Sequence, residues 1–259
     1  MTVHTLRNSK SLRQSVSAAE WDARLELAAA YRLMDHLGIT DMAHNHITVR
    51  VPDEPDAFLI KPSDAFFNEV TASTVEKYDF KGEPRQEGLG RIKGAGVFHA
   101  AILAARSDVN ATIHSHSPAN IGVSCQKHGL LPISQHALHF EGMVGYHEYG
   151  GFEADPTLIP MIVRDLAKND VAFLRNHGAL VVGPTLGYVF VSHFQLEMAC
   201  RAQVAALSAG YDQVVQVGPK AIDYTVTQLH KARERHATGG KDWKGWLRQA
   251  DRLFPDYQD

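Results

Sequence analysis

The chain has 259 residues, and its 44% hydrophobic and 21% charged residues are typical of a globular protein with a large buried core. Its formal net charge is −3 at pH 7 with no run of lysine or arginine, which argues against nucleic acid or an anionic membrane as a partner. Cys125 and Cys200 need not pair, and no apolar run resembles a signal peptide or a membrane span, so we expect a cytoplasmic protein.

Hydrophobic spacing predicts an alternation of helices and strands along most of the chain. In chain order, the predicted elements are a helix at 18–37, strands at 46–50 and 58–60, a short helix or turn at 73–78 leading into a strand at 75–80, a loop at 83–96, a helix at 97–105, a strand at 111–114, a helix at 119–127, a strand-like connection at 130–133, a strand at 143–149, a helix at 158–167, hairpin strands at 171–174 and 179–182, and a helix at 185–209.

Several of these strands follow one another without a crossover helix, so we expect one α/β domain with a mixed or antiparallel sheet. The predicted organisation is an N-terminal arm over residues 1–17, the α/β domain over 18–210 and a C-terminal extension over 211–259. The extension is more polar, and we expect it to pack on the domain or on a neighbouring subunit.

Histidine is the unusual residue in the composition, with fifteen copies in a nearly neutral chain. Two of them form the sequence His114-Ser115-His116 at the end of a predicted strand, where alternate side chains share a face. Ser117-Pro118 follows and is typical of a helix start. A third histidine, His177, precedes a glycine in the predicted hairpin turn.

These three histidines have two interpretations. Three neutral imidazoles could bind a divalent metal and leave a coordination position open for a substrate oxygen. Alternatively, they are hydrogen-bonded histidines at a strand end, which is the simpler explanation of an isolated His-x-His sequence.

The chain also resembles the class II aldolase/adducin family, and within it the adducin head domain more than the sugar-phosphate aldolases. The resemblance covers about residues 20–210 and not the last fifty. The matching segments, in chain order, are 45–50 (NHITVR), 69–73 (EVTAS), 98–102 with 104–106 (FHAAI, AAR), 113–119 (IHSHSPA), 129–134 (GLLPIS) and 174–178 (LRNHG).

The resemblance implies an α/β/α sandwich around a mainly antiparallel sheet, assembled as a homotetramer with active sites at subunit boundaries. It also implies a divalent metal bound by His114, His116 and His177, with zinc expected first and manganese or iron as alternatives. The metal interpretation of the three histidines therefore takes precedence over the structural one.

The chain departs from the sugar-phosphate aldolases of this family at the residues that perform the chemistry. Ala95 replaces the catalytic glutamate expected four residues before His99, and Lys93-Gly94 replaces a phosphate-binding serine pair. The other phosphate-binding elements are also altered, to Asn45-His46 and Ser63-Asp64. The tyrosine that donates a proton corresponds to His136 by an ungapped count. We therefore expect a non-phosphorylated substrate.

Replacement functional groups are sought among the remaining polar residues. His46 and His136 are candidates for proton transfer, His136 across a subunit boundary. Arg50 could bind a substrate carboxylate, and its alternative role is a surface ion pair. Lys61, Ser63 and Lys93 could bind an anionic substrate, with a solvated loop as the alternative.

Three functions remain open at this point. The first is a metal-dependent carbon–carbon lyase that decarboxylates or cleaves a small hydroxy or keto acid through a metal-stabilised enediolate. The second is a non-haem Fe(II) oxygenase on the same three histidines, although such sites usually include a carboxylate. The third is a non-catalytic assembly module like the adducin head, although the chain lacks adducin's long basic tail.

Overall fold

The computed structural model describes residues 9–92, 94, 96–151, 155, 157–233 and 238–259. The helices are α1 (Ser9–Ser15), α2 (Ala18–His36), α3 (Gly96–Ala105), α4 (Pro118–Ser124), α5 (Gln135–Leu138), α6 (Ile159–Leu166), α7 (Leu186–Leu207), α8 (Pro219–Arg233) and α9 (Gly240–Leu253). The strands are β1 (His46–Val51), β2 (Glu54–Ile60), β3 (Glu76–Asp79), β4 (Ala111–Ser115), β5 (Val144–His147), β6 (Val171–Leu174) and β7 (Gly178–Gly183).

The strands form one seven-stranded sheet in the order β3-β2-β1-β4-β7-β6-β5. Every neighbouring pair is antiparallel except β5 and β6, which are parallel. The mainly antiparallel sheet expected for the α/β/α sandwich is therefore confirmed. Strand β4 lies at the centre, paired with β1 on one side and β7 on the other.

Two apolar clusters cover the two faces of the sheet. On one face, Ile113 and Val181 pack in a cluster shared with α2, α7 and α9. On the other face, Leu180 and Val182 pack in a cluster shared with α3 and α6. Because successive strand residues alternate between faces, β2, β6 and β7 contribute to both clusters, whereas β1 and β4 place polar residues such as Thr48 and Thr112 on the second face.

The ends of the helices follow local chemistry that is visible in the sequence. The Ser17 side chain caps α2 by accepting a hydrogen bond from the Glu20 amide, and α2 ends before Gly38, which has a φ of 66°. Ser117 caps α4 in the same way through the Asn120 amide, with proline as the next residue. The predicted starts of both helices are confirmed to within one residue.

The predicted hairpin is also confirmed, as β6 and β7. Its turn places Asn176 at a φ of 59°, and the His177 amide donates to the Leu174 carbonyl oxygen at 3.0 Å. A Cβ atom at Gly178 would collide with the Ser115 carbonyl oxygen, so glycine allows β7 to approach β4 at this point. The hairpin thus brings His177 beside the end of β4.

Two local predictions differ from the structure. The strand-like connection expected at 130–133 is wrong, because the segment forms turns. Its amides are bonded to side chains instead of a neighbouring strand: Leu130 donates to the Tyr146 hydroxyl and Leu131 to the Gln203 side chain. The arm expected over 1–17 contains helix α1, and residues 1–8 lie outside the described residues.

The C-terminal residues 240–259 pack on the core of the same chain. Helix α9 contacts α2 and α7, with Trp243 against Phe190 at 5.1 Å between ring centroids. The main-chain amides of Ala72 and Ser73 donate hydrogen bonds to the carbonyl oxygens of Tyr257 and Asp259, respectively. Among the described helices, none is long and apolar enough to cross a membrane.

We expect Trp243→Ala to lower the free energy of unfolding by about 3–5 kcal/mol, because it removes a large buried ring and leaves a cavity between α7 and α9. Urea denaturation followed by circular dichroism measures this change. Tyr224→Ala is the matched control, since Tyr224 is an exposed aromatic on α8, and we expect it to change stability by less than about 0.5 kcal/mol. Equal stabilities of the two variants would contradict the packing role of α9.

Candidate metal centre

The three predicted histidines meet at one end of β4. His114 is in β4, His116 follows it after one residue, and His177 lies in the turn between β6 and β7. The Nε2 atom of His116 is 2.9 Å from that of His114 and 2.7 Å from that of His177. One ring nitrogen from each histidine lies within 4.8 Å of the others. Side chains distant in sequence thus present a compact set of nitrogen ligands.

Hydrogen bonds at the other ring nitrogen orient two of these imidazoles. His114 Nδ1 lies 3.0 Å from the Ala179 carbonyl oxygen, to which only a protonated Nδ1 can donate. His116 Nδ1 lies 3.0 Å from a carboxylate oxygen of Asp41. Both contacts favour the tautomer with its proton on Nδ1, which leaves the Nε2 lone pair directed toward the other histidines.

The protonation state of His114 suits a metal ligand. Its side chain is 2% exposed, and burial is the main cause that holds its pKa well below the usual range of histidine. Neighbouring His116 and His177 lower the pKa of His114 further. Because neutral imidazole is the form that binds metals, His114 is ready to coordinate at neutral pH.

The residues present fit a divalent cation. Three imidazole nitrogens and no thiol are a donor set used by catalytic zinc sites, in which a fourth position stays open. Tetrahedral zinc with bonds of 2.0–2.1 Å needs nitrogen atoms roughly 3.3 Å apart. The observed separations of 2.7 and 2.9 Å are shorter by a few tenths of an ångström, which small side-chain rotations can supply.

Helix α7 lies on the opposite face of the sheet and supports the segment that carries His114 and His116. The Ser115 hydroxyl lies 2.6 Å from His193 Nε2 and accepts a hydrogen bond from the Asn120 side chain at 2.8 Å. The Ser117 hydroxyl donates to a carboxylate oxygen of Glu197. Burial lowers the pKa of His193 to about 4, so this imidazole is neutral at pH 7. A buried polar network therefore holds the turn from β4 into α4.

A second pair of buried histidines lies on the same face of the sheet as His114. His46 in β1 is directly opposite His114 in β4, and His99 in α3 packs beside His46 with 6.1 Å between ring centroids. His99 Nδ1 is hydrogen-bonded to the Thr112 hydroxyl, and burial lowers the pKa of His99 to about 3. Burial also holds the pKa of His46 well below its usual range, with His99 and Lys61 adding to the effect.

A cavity of about 350 Å³ adjoins this pair. His46, Lys61 and Ser63 belong to its lining, so the structure brings three of the residues proposed from the sequence into one place. The remaining lining residues are Ile60, Glu76, Tyr78, Gly88, Leu89, Gly90, Arg91, Ile92 and Gly96. None of the three candidate ligands is in this lining, and the link between the two is His46, which lines the cavity and is opposite His114 across β1 and β4.

Lys61 is a buried cation in the wall of this cavity. Its side chain is 1% exposed, and its Nζ donates to the Ala43 and Pro62 carbonyl oxygens at 3.0 and 3.2 Å. An ammonium group has three donors, so one remains for another acceptor. Burial lowers the pKa of Lys61 to about 8, and the more distant charges of Asp64 and Glu76 only partly oppose this effect.

Arg50, proposed from the sequence as a carboxylate clamp, has a different role in the structure. Arg50 is four residues after His46 along β1, which separates the two main-chain positions by roughly 13 Å. Its guanidinium donates to the Asn110 side chain and to several main-chain carbonyl oxygens, those of Leu103 and Val109 among them. These bonds close the loops at the far end of the strand, so Arg50 belongs to the fold and we remove it from the proposed substrate site.

His136, also proposed from the sequence, is not among the residues that line the cavity. His136 is exposed on α5, a short helix that packs against α7 and α8. Lys93 lies outside the described residues.

Sequence reasoning missed the residues that hold the histidines in place. His193 and Glu197 are four residues apart on α7, and two polar residues one turn apart in an apolar helix could have indicated a buried pair. Asp41 had no comparable signal, because it lies in a loop 75 residues before His116.

Comparisons with known proteins identify the family that includes this part of the chain. The family model for the Class II Aldolase and Adducin N-terminal domain matches residues 25–204, a range that contains all three histidines and the cavity. The chain belongs to the class II aldolase/adducin family. The resemblance inferred from the matching segments is therefore confirmed.

The relatives within the family include proteins named as aldolases and proteins named as adducins. A crystal structure of an aldolase II superfamily protein from Pseudomonas syringae is 39% identical, with a TM-score of 0.91 over 96% of this chain and all of that chain. A Caulobacter vibrioides protein named "Putative aldolase class 2 protein" is 40% identical over 250 residues, which are 96% of both chains. Rat alpha-adducin is 39% identical over 223 residues, 84% of this chain and 30% of that protein.

The lowered pKa of Lys61 gives a testable dependence of stability on pH. Below pH 8 Lys61 is protonated in both the folded and the unfolded chain, so the full cost of burying the ammonium lowers the free energy of unfolding. This cost disappears as the pH rises toward 10.5, the pKa of lysine in the unfolded chain. We therefore expect the wild type to gain about 2–3 kcal/mol relative to Lys61→Met between pH 7 and pH 10. Urea denaturation of both proteins at each pH measures this gain.

Lys81→Met is the control for that experiment, because Lys81 is an exposed lysine on a loop. Its stability relative to the wild type should not change over the same pH interval. A Lys61→Met curve parallel to that of the wild type would show that the Lys61 ammonium is not destabilised by burial.

Proposed function

We propose that this member of the family is a metal-dependent lyase that breaks a carbon–carbon bond in a small, non-phosphorylated hydroxy or keto acid, by decarboxylation or retro-aldol cleavage. The observation that carries the proposal is the convergence of the ring nitrogens of His114, His116 and His177, with His46 of the cavity wall directly opposite His114. We propose zinc as the metal, with manganese or iron as alternatives.

A divalent cation held by these histidines would polarise the substrate carbonyl and stabilise the negative charge that develops on its oxygen. The chain itself contributes the position and orientation of the ligands. His114 is fixed by its bond to the Ala179 carbonyl oxygen and by the edge of Phe98, at 5.5 Å between ring centroids. Neutral imidazoles would leave the cation's full charge available to the substrate.

The substrate class follows from the cavity. Lys61 is a buried ammonium without a carboxylate within ion-pair distance among the described residues, which favours an anionic ligand in the cavity. Ser63 adds a hydroxyl at the same wall. We therefore propose that Lys61 and Ser63 bind the substrate carboxylate, with Lys93 as a further contact that the sequence predicts.

Proton transfer falls to histidines in this proposal, because Ala95 provides no carboxylate. His46 Nδ1 is a buried atom without a hydrogen-bond partner, and its side chain lines the cavity. Burial keeps this imidazole neutral and thus leaves one ring nitrogen unprotonated, so His46 is the candidate proton acceptor within the chain. We propose His136 as a second candidate that reaches the cavity of a neighbouring subunit in a homotetramer.

The metal requirement is tested with His114→Ala and His177→Ala. We expect both variants to lose stoichiometric zinc and to lose lyase turnover by at least 100-fold, because two nitrogen ligands do not hold the cation in place. Metal content is measured by mass spectrometry, and turnover with a panel of hydroxy and keto acids. His128→Ala is the control, since His128 is exposed, packs beside Tyr211 and is not one of the three clustered histidines.

The outcomes of this experiment separate the three functions. Zinc or manganese with loss of turnover on chelation supports the lyase. Iron together with turnover that consumes dioxygen would replace the lyase with an oxygenase. A wild-type protein without metal, and an unchanged fold in His114→Ala, would replace it with an assembly module.

The role of Lys61 is tested by Lys61→Met. A hydrogen bond to a charged group contributes about 1.5–3 kcal/mol, so we expect KM to rise by about 10- to 100-fold with a smaller change in kcat. Steady-state kinetics at pH 7 measure both constants, and Lys81→Met should match the wild type. An unchanged KM would remove Lys61 from the proposed substrate site.

A further inference from the structure

The loop that connects α2 to β1 holds His116 at two atoms. The Asp41 carboxylate lies 3.0 Å from His116 Nδ1, and the Asn45 side-chain oxygen accepts a hydrogen bond from the His116 amide at 3.1 Å. The loop is 71–75 residues away from His116 in sequence. These contacts therefore depend on the pairing of β1 with β4, which brings the start of β1 to the end of β4.

His116 needs this support more than His114 does. His114 is inside β4, and its Nδ1 is bonded to the main chain of β7, so the sheet itself fixes the ring. His116 follows the last residue of β4 and its side chain is 14% exposed. An imidazole beyond a strand end has more rotational freedom, and a carboxylate at Nδ1 restricts both its rotation and its tautomer.

We propose that Asp41 is a positioning residue for metal binding: it holds His116 as the Nδ1-protonated tautomer with Nε2 directed at His114 and His177. This inference rests on the proposed function. The Asp41 carboxylate adds a negative charge beside a site whose three ligands are neutral, and this charge makes His116 Nε2 a stronger electron-pair donor to the metal.

Two substitutions separate the charge of Asp41 from its hydrogen bond. Asp41→Ala removes both, and we expect its zinc affinity to fall by about 10- to 100-fold. Asp41→Asn keeps an oxygen that can accept from Nδ1 but removes the charge, so we expect a smaller loss. Asp22→Asn is the control, because Asp22 is an exposed carboxylate on α2.

Zinc affinity is measured on the full chain by competition with a chelator of known affinity. The tautomer of His116 is measured separately in the zinc-free protein by nitrogen-15 NMR, which distinguishes protonated from unprotonated ring nitrogens. We expect a His116 signal with Nδ1 protonated in the wild type and in Asp41→Asn, and a mixture of tautomers in Asp41→Ala. Circular dichroism establishes that each variant is folded.

The results distinguish a failure of this inference from a failure of the proposed function. If the wild type binds zinc and Asp41→Ala binds it equally well, the positioning role of Asp41 is wrong and the metal proposal stands. If the wild type binds no metal, the proposed function is wrong, and the NMR measurement alone decides the orientation of His116. A tautomer that is unchanged in Asp41→Ala overturns the inference in either case.

Discussion

The pairing of β4 with β1 and β7 is the constraint on which the rest of the structure depends. It places His114 opposite His46 on one side and brings the turn that carries His177 to the same strand end on the other. A shift of this pairing by one residue would move every β4 side chain to the opposite face. His114 would then point toward α7 and Ser115 toward the cavity. Apolar residues of β4 such as Ile113 prevent that shift, because it would remove their side chains from the cluster shared with α2, α7 and α9.

The polar groups around the candidate metal centre are costly to bury, and the structure compensates most of them with hydrogen bonds. Ser115 is bonded to His193 and Ser117 to Glu197, and Asn120 joins the two pairs by donating to both serine hydroxyls. Lys61 is different, because no described carboxylate lies within ion-pair distance of its ammonium, and burial of this cation lowers stability at neutral pH. Burying such a group is consistent with a site that is completed by an anionic ligand.

Membership of the class II aldolase/adducin family describes the framework more closely than the reaction. The same framework extends over nearly all of the Pseudomonas syringae protein but over less than a third of rat alpha-adducin. In this chain the surroundings of the histidines include Lys61 in the cavity wall, and alanine stands at position 95, where the resemblance to the aldolases leads us to expect a carboxylate. The proposed reaction therefore uses the cation and neutral imidazoles and needs no catalytic carboxylate.

The sequence by itself determined the strands, five of the described helices (α2, α3, α4, α6 and α7), the family and the three candidate ligands, because each depends on local spacing or on a short run of residues. It did not predict α1, α5, α8 or α9. It did not determine the role of Arg50, which could be understood only from the carbonyl groups that meet it in space. Asp41, His193 and the cavity around Lys61 were likewise decided by tertiary structure alone. The physical reason is that their partners lie far away along the chain, and only the packed sheet brings those atoms within hydrogen-bonding distance.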